Sequence, residues 1–435
     1  MRTWSRFNRL FRSKRHGFLL YNGLSNALAQ IDDEAHEEIE RIRTSPDTYD
    51  VGRSPGLYVQ LLGMKAIVDD RDEEDEVLWA RLQRTRLYFD PTSLVLCLVP
   101  TLACNFECTY CYERFRGPVH MSSEVEDQVV AFAEKYPRIR NLAVEWFGGE
   151  PLLRFQTICS LTEKLKRLGV PLEASMTTNG YLLGPEVISK LDELGIGRIQ
   201  ITIDGSQEIH DRRRHLVSGG PTRAVILSNI DRLREQWHGQ LILRVNIDKT
   251  NQDAFDATRA ELRERYPGDR VVIMPGVVVG GAGSGELDCN LKRDEYCDFR
   301  MQMIRRNGMD ELPFYPVLES GCVATHDNSW VIGPRGEVYK CWIDVGDPDW
   351  VVGSINGSVP WRRGLIARYM FASDSFTSPE CRECVHSTLC NGGCPKSRMA
   401  GDSNGTSIHA CKEYKERLPE WLEVYLEAKL ADPTA

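Results

Sequence analysis

The chain lacks any long hydrophobic run: in 435 residues no apolar stretch approaches the roughly 18–20 that a membrane-crossing helix needs. Its first residues are basic, but neither an apolar core nor a small-residue cleavage site follows, so no secretory signal is read and a cytoplasmic location is expected. An excess of positive charge is missing too. Lys and Arg number 54 against 63 Asp and Glu, and the net charge of −9 argues against a general nucleic-acid binder. The one glycine-rich run, Gly280-Gly281-Ala282-Gly283-Ser284-Gly285, has no Lys-Ser/Thr after it, so it reads as a hinge rather than a phosphate cradle. What remains, 42% apolar and 27% charged, is the composition of a soluble globular protein long enough for two or three domains.

Cysteine is plentiful, with 14 in the chain. In a cytoplasmic protein that number points to metal or redox chemistry rather than disulfides. Three stand in Cys104-Asn105-Phe106-Glu107-Cys108-Thr109-Tyr110-Cys111, after the apolar run from Ser93 to Thr101, which reads as a buried strand opening into a loop. An iron–sulfur cube offers four irons, normally one Cys to each. Three ligands leave one iron open for a substrate or cofactor, whereas zinc would demand a distant fourth ligand. Seven more follow as Cys322, Cys341, Cys381-x2-Cys384-x5-Cys390-x3-Cys394 and Cys411. Cys97 and Cys159 sit in apolar strand and helix patterns and suit small buried hydrophobes. Cys289 and Cys297 have no role from pattern alone.

From Ser93 onward strands and helices alternate. The strands expected are 94–99, 142–147, 172–176, 199–203, 241–247 and 271–279; the helices are 124–136, 157–168, 185–194, 223–236 and 254–266. Such βα units imply a parallel sheet with outer helices, a full or partial barrel whose post-strand loops gather at one end. Polar motifs fall where those loops should be. Gly148-Gly149-Glu150-Pro151 follows the second strand, Thr177-Thr178-Asn179-Gly180 the third, and Asp204-Gly205 the fourth, while Arg244 and Asn246 share a face of the fifth.

The C-x3-C-x-aromatic-C loop together with GGEP resembles the radical S-adenosylmethionine (radical SAM) superfamily, over roughly Ser93 to Gly281. The later cysteines resemble the SPASM extension found on members that mature ribosomally made peptides. The resemblance implies an α/β fold: a partial (β/α)6 TIM-like barrel with a C-terminal cysteine-rich SPASM domain and a small α+β N-terminal region. The division expected is 1–90, with a peptide-recognition element among its readings, 91–285 for the barrel, 286–312 as a linker helix, 313–415 for SPASM and 416–435 as a closing helix. The cofactors implied are S-adenosyl-L-methionine and three [4Fe-4S] clusters. Cys104, Cys108 and Cys111 would hold the first, with Tyr110 flanking the adenine. Gly148, Gly149 and Glu150 would hold the methionine amino group, Thr178 and Asn179 the ribose, and Arg244 with Asn246 the carboxylate and ribose. Cys381, Cys384, Cys390 and Cys411 would hold an outer auxiliary cluster, and Cys322, Cys341 and Cys394 an inner one. His210, Asp211 and Arg214, in a stretch resembling the "DG…HDxxR" of peptide-acting relatives, would steer substrate or form a structural network. The partners implied are a precursor peptide and an electron donor such as flavodoxin or ferredoxin, with no nucleic acid and no membrane.

Two positions depart from the sulfatase-maturing pattern. Pro316 stands where a further Cys is expected, so the inner cluster lacks a fourth ligand, which Cys297 or Cys289 would supply unless the iron stays open to substrate; Cys297 is preferred. Trp342 follows Cys341 where sulfatase maturases place an Asp, which lowers formylglycine formation as the reaction. A radical enzyme that crosslinks a precursor peptide, through a thioether or carbon–carbon bond, is therefore the first reading. A sulfatase-maturase-like or small-molecule radical SAM oxidoreductase is the second, and a zinc-binding scaffold the remote third. Near the N-terminus, basic residues interleaved with Trp4, Phe7, Leu10 and Phe11 read as a locally packed arm or a basic amphipathic helix. Strands are expected at 18–21 and 27–31, and acidic helices at 33–43 and 74–86. A closing amphipathic helix is expected over 414–430.

Overall fold

The structure, a computed structural model, describes residues 1–113, 115–278, 289–308, 322–400, 411 and 415–431. It forms two compact units, one of Met1–Phe89, Lys292–Cys322 and Met370–Ala435, the other of Asp90–Leu291 and Val323–Tyr369. The cysteine-rich C-terminal segment is thus shared between the two. Among the described residues no helix is long and apolar enough to cross a membrane.

The first unit opens with β1 (Arg2–Trp4), β2 (Asn8–Ser13), β3 (Gly17–Asn22), β4 (Ala27–Ile31), α1 (Asp33–Thr44), α2 (Pro55–Gly63), β5 (Ile67–Asp69) and α3 (Asp70–Tyr88). The helical alternative for the basic N-terminus does not form. Trp4 lies opposite Ile67 in an antiparallel pair, and β2 pairs with β3 through a turn where Gly17 takes φ +68°, a conformation that costs glycine little. Phe7 is buried while Arg9 and Arg12 are exposed, so the interleaved charges lie at the surface of a sheet rather than along one helix face. Asp32 accepts the Ala35 N–H at 2.7 Å and caps α1, whose acidic first turn and basic last turn complement the helix dipole. The sheet runs β2-β3-β4. On the β2 side lies the C-terminal helix Leu418–Ala431, whose Glu423 accepts the Lys14 N–H at 2.9 Å. Phe7, Tyr21, Val385, Leu418 and Leu422 form a shared core there. The expected linker helix is Arg293–Asn307, and it packs on the C-terminal helix with Arg300 over the Trp421 ring.

In the second unit, β6 (Ser93–Leu98), α4 (Ser123–Ala133), β7 (Asn141–Trp146), α5 (Phe155–Lys166), β8 (Leu172–Thr178), α6 (Pro185–Ile188), β9 (Ile196–Thr202), α7 (Gln207–Arg213), α8 (Arg223–Gln236), β10 (Gln240–Ile247), α9 (Phe255–Arg265) and β11 (Val271–Val277) build the expected parallel βα array. In-register apolar rows such as Leu96 opposite Val144, and Leu243 opposite Ile201 and Ile273, fill its core. The helix expected over 185–194 is only four residues, Pro185–Ile188. Residue 279 and the run Gly280–Gly285 lie outside the described residues, as does Pro316. The sheet does not stop at β6. β12 (Ser329–Ile332) adds parallel to it, followed antiparallel by β13 (Glu337–Tyr339) and β14 (Gly353–Ser354), giving nine strands in the order β11-β10-β9-β8-β7-β6-β12-β13-β14. Cys97, Val99, Phe147, Val331 and Tyr339 pack across that junction.

Candidate functional site

The cysteine loop leaves β6 and is stitched down on both flanks. Leu102 N–H donates to Val119 O, Glu107 N–H to His215 O and Thr109 N–H to Arg213 O, each at 2.9–3.0 Å. Phe106 is buried and meets Tyr181 edge-on. Cys104, Cys108 and Cys111 are half-buried, and no disulfide engages them. Burial pushes the Cys104 thiol up to about 12, against a lowering contribution from the Phe106 N–H, which donates to its sulfur at 3.4 Å. Burial raises Cys108 and Cys111 as well. Three thiols raised by burial need a cation beside them to become thiolates, and a cluster iron would be one.

The GGEP turn presses against that loop. Gly148 takes φ +118°, and a Cβ on Gly149 would stand 2.3 Å from the Ala103 carbonyl oxygen, so only glycine permits the approach. Gly149 and Glu150 N–H groups donate to Thr101 O and Ala103 O at 3.2 and 2.9 Å. The Glu150 carboxylate is fully buried. It accepts the Thr178 hydroxyl at 2.7 Å, the Leu152 N–H at 3.1 Å and the Asn179 N–H at 2.8 Å. A carboxylate has about four acceptor positions, so one remains for a ligand ammonium. Burial nevertheless raises its pKa. Asn179 is engaged at both ends, donating to Asn105 Oδ1 at 2.7 Å and accepting the Tyr181 N–H at 3.0 Å.

Tyr110 lies at the centre of a second network. Its hydroxyl donates to Asp204 and accepts from Arg214 at 2.8 Å and Asn246 at 3.2 Å. Asp204 also accepts the Asn246 N–H at 3.0 Å, and Arg213 bridges it to Asp248 at 3.4 and 2.6 Å while lying over the Tyr110 ring. Arg244 donates through Nε to Asn246 at 2.8 Å and rests against Gly276, whose missing Cβ leaves it room. Among the described residues it has no carboxylate partner. Asp204, Arg213 and Asp248 were not singled out as site residues by pattern, although Asp204-Gly205 marked the place.

The "DG…HDxxR" residues divide. His210 is buried, with Nδ1 accepting the Asp204 backbone N–H at 3.1 Å; burial first, then Arg214, Arg223 and Arg213, holds its pKa well below the usual range. Asp211 accepts the Thr222 and Arg223 N–H groups at 2.8 and 2.9 Å and so holds the start of α8. Arg214 reaches the Tyr110 hydroxyl and the cysteine loop. Burial disfavours its charge, but Cys108, Tyr110 and Asp204 outweigh that and raise its pKa.

In the first unit, Cys381, Cys384, Cys390 and Cys411 line one cavity with Ser375, Ser387, Gly392, Arg398 and Lys415. Arg398 donates to Cys381 Sγ at 3.2 Å and the Gly392 N–H to Cys390 Sγ at 3.3 Å. The donor set of soft sulfurs with N–H groups directed at them fits an iron–sulfur cluster. Among the described residues no three His, Cys, Asp or Glu stand at single-ion spacing. Cys341 follows β13 in the second unit, whereas Cys322 and Cys394 belong to the first. Cys297 is buried in the helix Arg293–Asn307. Burial pushes its thiol up to about 11, and Arg417, Asp294, Arg293 and Arg300 act on it. The backbone carbonyl of Cys289 accepts the Lys249 N–H at 2.8 Å.

Residues 98–262 match the radical SAM superfamily. A serine-type anaerobic sulfatase-maturating enzyme of Bacteroides thetaiotaomicron is 22% identical over 358 residues, 72% of this chain and 85% of its own. A probable GTP 3′,8-cyclase of Sulfolobus acidocaldarius is 34% identical over 110 residues; that match spans 24% of this chain and about a third of the relative, 32%. Among solved structures, native anSMEcpe with bound AdoMet and Cp18Cys peptide aligns at TM-score 0.60 and 19% identity over 78% of this chain and 100% of that one. Streptococcus suis SuiB bound to precursor peptide SuiA aligns at TM-score 0.52 and 12% identity over 95% and 99%.

Proposed function

We propose that this chain, a radical SAM enzyme of the SPASM type, acts on a ribosomally made precursor peptide and closes a crosslink within it. Cys104, Cys108 and Cys111 would hold the cluster that, with S-adenosylmethionine bound, would supply a 5′-deoxyadenosyl radical for abstraction of one substrate hydrogen, and the four-cysteine site of Cys381, Cys384, Cys390 and Cys411 would hold a group able to take up the surplus electron. The chain's own residues do the rest. Cys104, Cys108 and Cys111 give three thiolates, Glu150 offers its remaining acceptor position to the methionine ammonium, and Arg244 offers paired N–H donors to the carboxylate. Arg213, Asp204 and Tyr110 lock the strand ends beneath, so that the loop need not reorganise on binding.

The observation that carries the peptide reading is the edge of β4. It is the last strand of the β2-β3-β4 sheet, half-buried, with no further strand beside it among the described residues. An extended peptide adds to such an edge by main-chain hydrogen bonds. The peptides named in the anSMEcpe and SuiB structures accord with a peptide substrate. The sulfatase-type reading is weakened by Trp342, and by Asp344 being committed to the Tyr369 hydroxyl. The test is anaerobic incubation of the iron-loaded protein with S-adenosylmethionine, dithionite and short peptides encoded beside its gene. A product lighter by two hydrogens, with 5′-deoxyadenosine formed alongside, supports a crosslink. Formylglycine in a sulfatase peptide, with the precursor untouched, would overturn it.

A further inference from the structure

Helix α3 is acidic at its start and largely exposed along its nineteen residues, yet its one buried residue is a cation, Arg84, which is 5% exposed. Arginine is rarely buried without an anion, because leaving water is costly for a charge. Here the guanidinium meets only neutral acceptors. It donates through Nη1 to the Ser375 hydroxyl and through Nη2 to the Thr388 carbonyl at 3.3 Å, its Nε has no partner, and the Phe376 ring lies 4.5 Å away. No carboxylate stands within ion-pair distance of it among the described residues. Burial lowers its pKa, and the acidic groups that act in the other direction are the Tyr88 hydroxyl, the Cys390 and Cys381 thiols and Asp374.

Two of those four are cysteines of the four-thiol cavity. Ser375, the partner of Arg84, lines the same cavity and passes its own hydrogen to Ser387 O at 2.8 Å. Arg398 and Lys415 also line it but are partly exposed and belong to the cysteine segment itself. Arg84 arrives from more than 290 residues earlier in the chain and places its charge in a dry position.

We propose that Arg84 is a positioning residue for charge: the fixed buried cation that balances the iron–sulfur site of Cys381, Cys384, Cys390 and Cys411 and raises its reduction potential. The inference rests on the reading that these four cysteines hold a cluster. A four-iron cube with four thiolates is a dianion when oxidised and gains one further negative charge on taking up an electron. A nearby buried cation therefore favours the reduced form. The first ninety residues would then serve the electron chemistry as well as peptide binding.

The experiment uses the full chain with Cys104→Ala, Cys108→Ala, Cys111→Ala and Cys341→Ala, which leaves this site as the one to load. Its iron content is measured and its potential read by EPR-monitored redox titration, with Arg84→Gln and Arg84→Lys made in the same background. Arg84→Gln is expected to lower the reduced-to-oxidised ratio at fixed potential at least tenfold, about 59 mV for one electron, while Arg84→Lys stays near the parent. Loss of iron in Arg84→Gln but not in Arg84→Lys equally supports a charge role. An unmoved potential in iron-loaded Arg84→Gln, or equal losses in both variants, overturns it. No iron in the parent background overturns the cluster reading itself, and this proposal with it.

Discussion

Tyr110, in the cysteine loop that follows β6, donates its hydroxyl to Asp204 after β9, three strands away in the same sheet. Removing that hydroxyl with Tyr110→Phe takes away one donor and leaves Arg214 Nη1 and Asn246 Nδ2 without their acceptor. Hydrogen bonds to charged groups contribute about 1.5–3 kcal/mol each, and orphaned donors cost more than the bond was worth. The variant should lose about 2–3 kcal/mol, lowering Tm by roughly 4–10 °C for a unit of this size. Thermal denaturation of the protein before iron loading measures it. An unchanged Tm would mean the network carries no stability.

A methyl group at position 149 tests the glycine turn. Its Cβ would fall 2.3 Å from Ala103 O and 2.7 Å from Ala103 C, both backbone atoms that cannot swing aside. Gly149→Ala must therefore displace the loop segment leading to Cys104, at a cost of about 1–3 kcal/mol for overpacking. Iron bound at Cys104, Cys108 and Cys111 should fall by more than half in that variant. Gly56→Ala, where nothing lies within 4 Å, should load normally.

The barrel was legible because its strands are continuous apolar runs of parallel-sheet type, and helix α8 was read to its end residues, 223–236. The strands β12 to β14 were not, since segments of four, three and two residues broken by glycine carry no usable period. Nor could pattern tell that in Arg212-Arg213-Arg214 the first side chain is exposed and the next two are buried among Asp204, Asp248 and Tyr110. Side-chain direction at the end of a short helix depends on what the next strand brings, and Asp248 comes 35 residues later. Arg84 was hidden for the same reason. A helix whose apolar residues show no stripe gives no sign that one cation among them is buried.

Stability should fall in mild acid, and His386 gives the sign. Burial, with Arg9 nearby, lowers its pKa from 6.5 to about 4. Between those values the unfolded chain takes a proton that the folded chain refuses, so folding weakens as pH drops, by about 1.4 kcal/mol per pH unit. The contribution is fully present above pH 6.5 and is lost by about pH 4. His210, also lowered, adds in the same direction. Urea denaturation from pH 7 to pH 4.5 should show this slope, and His386→Gln should flatten it by about half. An equal slope in the variant would place the proton uptake elsewhere.

Arg244 offers the sharpest separation of binding from folding. It is half-buried, donates to Asn246 at 2.8 Å and has no carboxylate beside it among the described residues, so truncation breaks no ion pair. The Tm of Arg244→Ala should stay within a few degrees of the parent. If the guanidinium receives the cofactor's carboxylate, binding loses a charge-assisted pair of hydrogen bonds, about 1.5–3 kcal/mol, or roughly 10- to 150-fold in Kd. Arg244→Lys keeps the charge but not the planar fork and should recover only part of the loss. Calorimetric titration of iron-loaded protein with S-adenosylmethionine checks both variants. Equal Kd in parent and Arg244→Ala would remove this residue from the cofactor site and shift the carboxylate contact to Arg214, a buried guanidinium that reaches the cysteine loop.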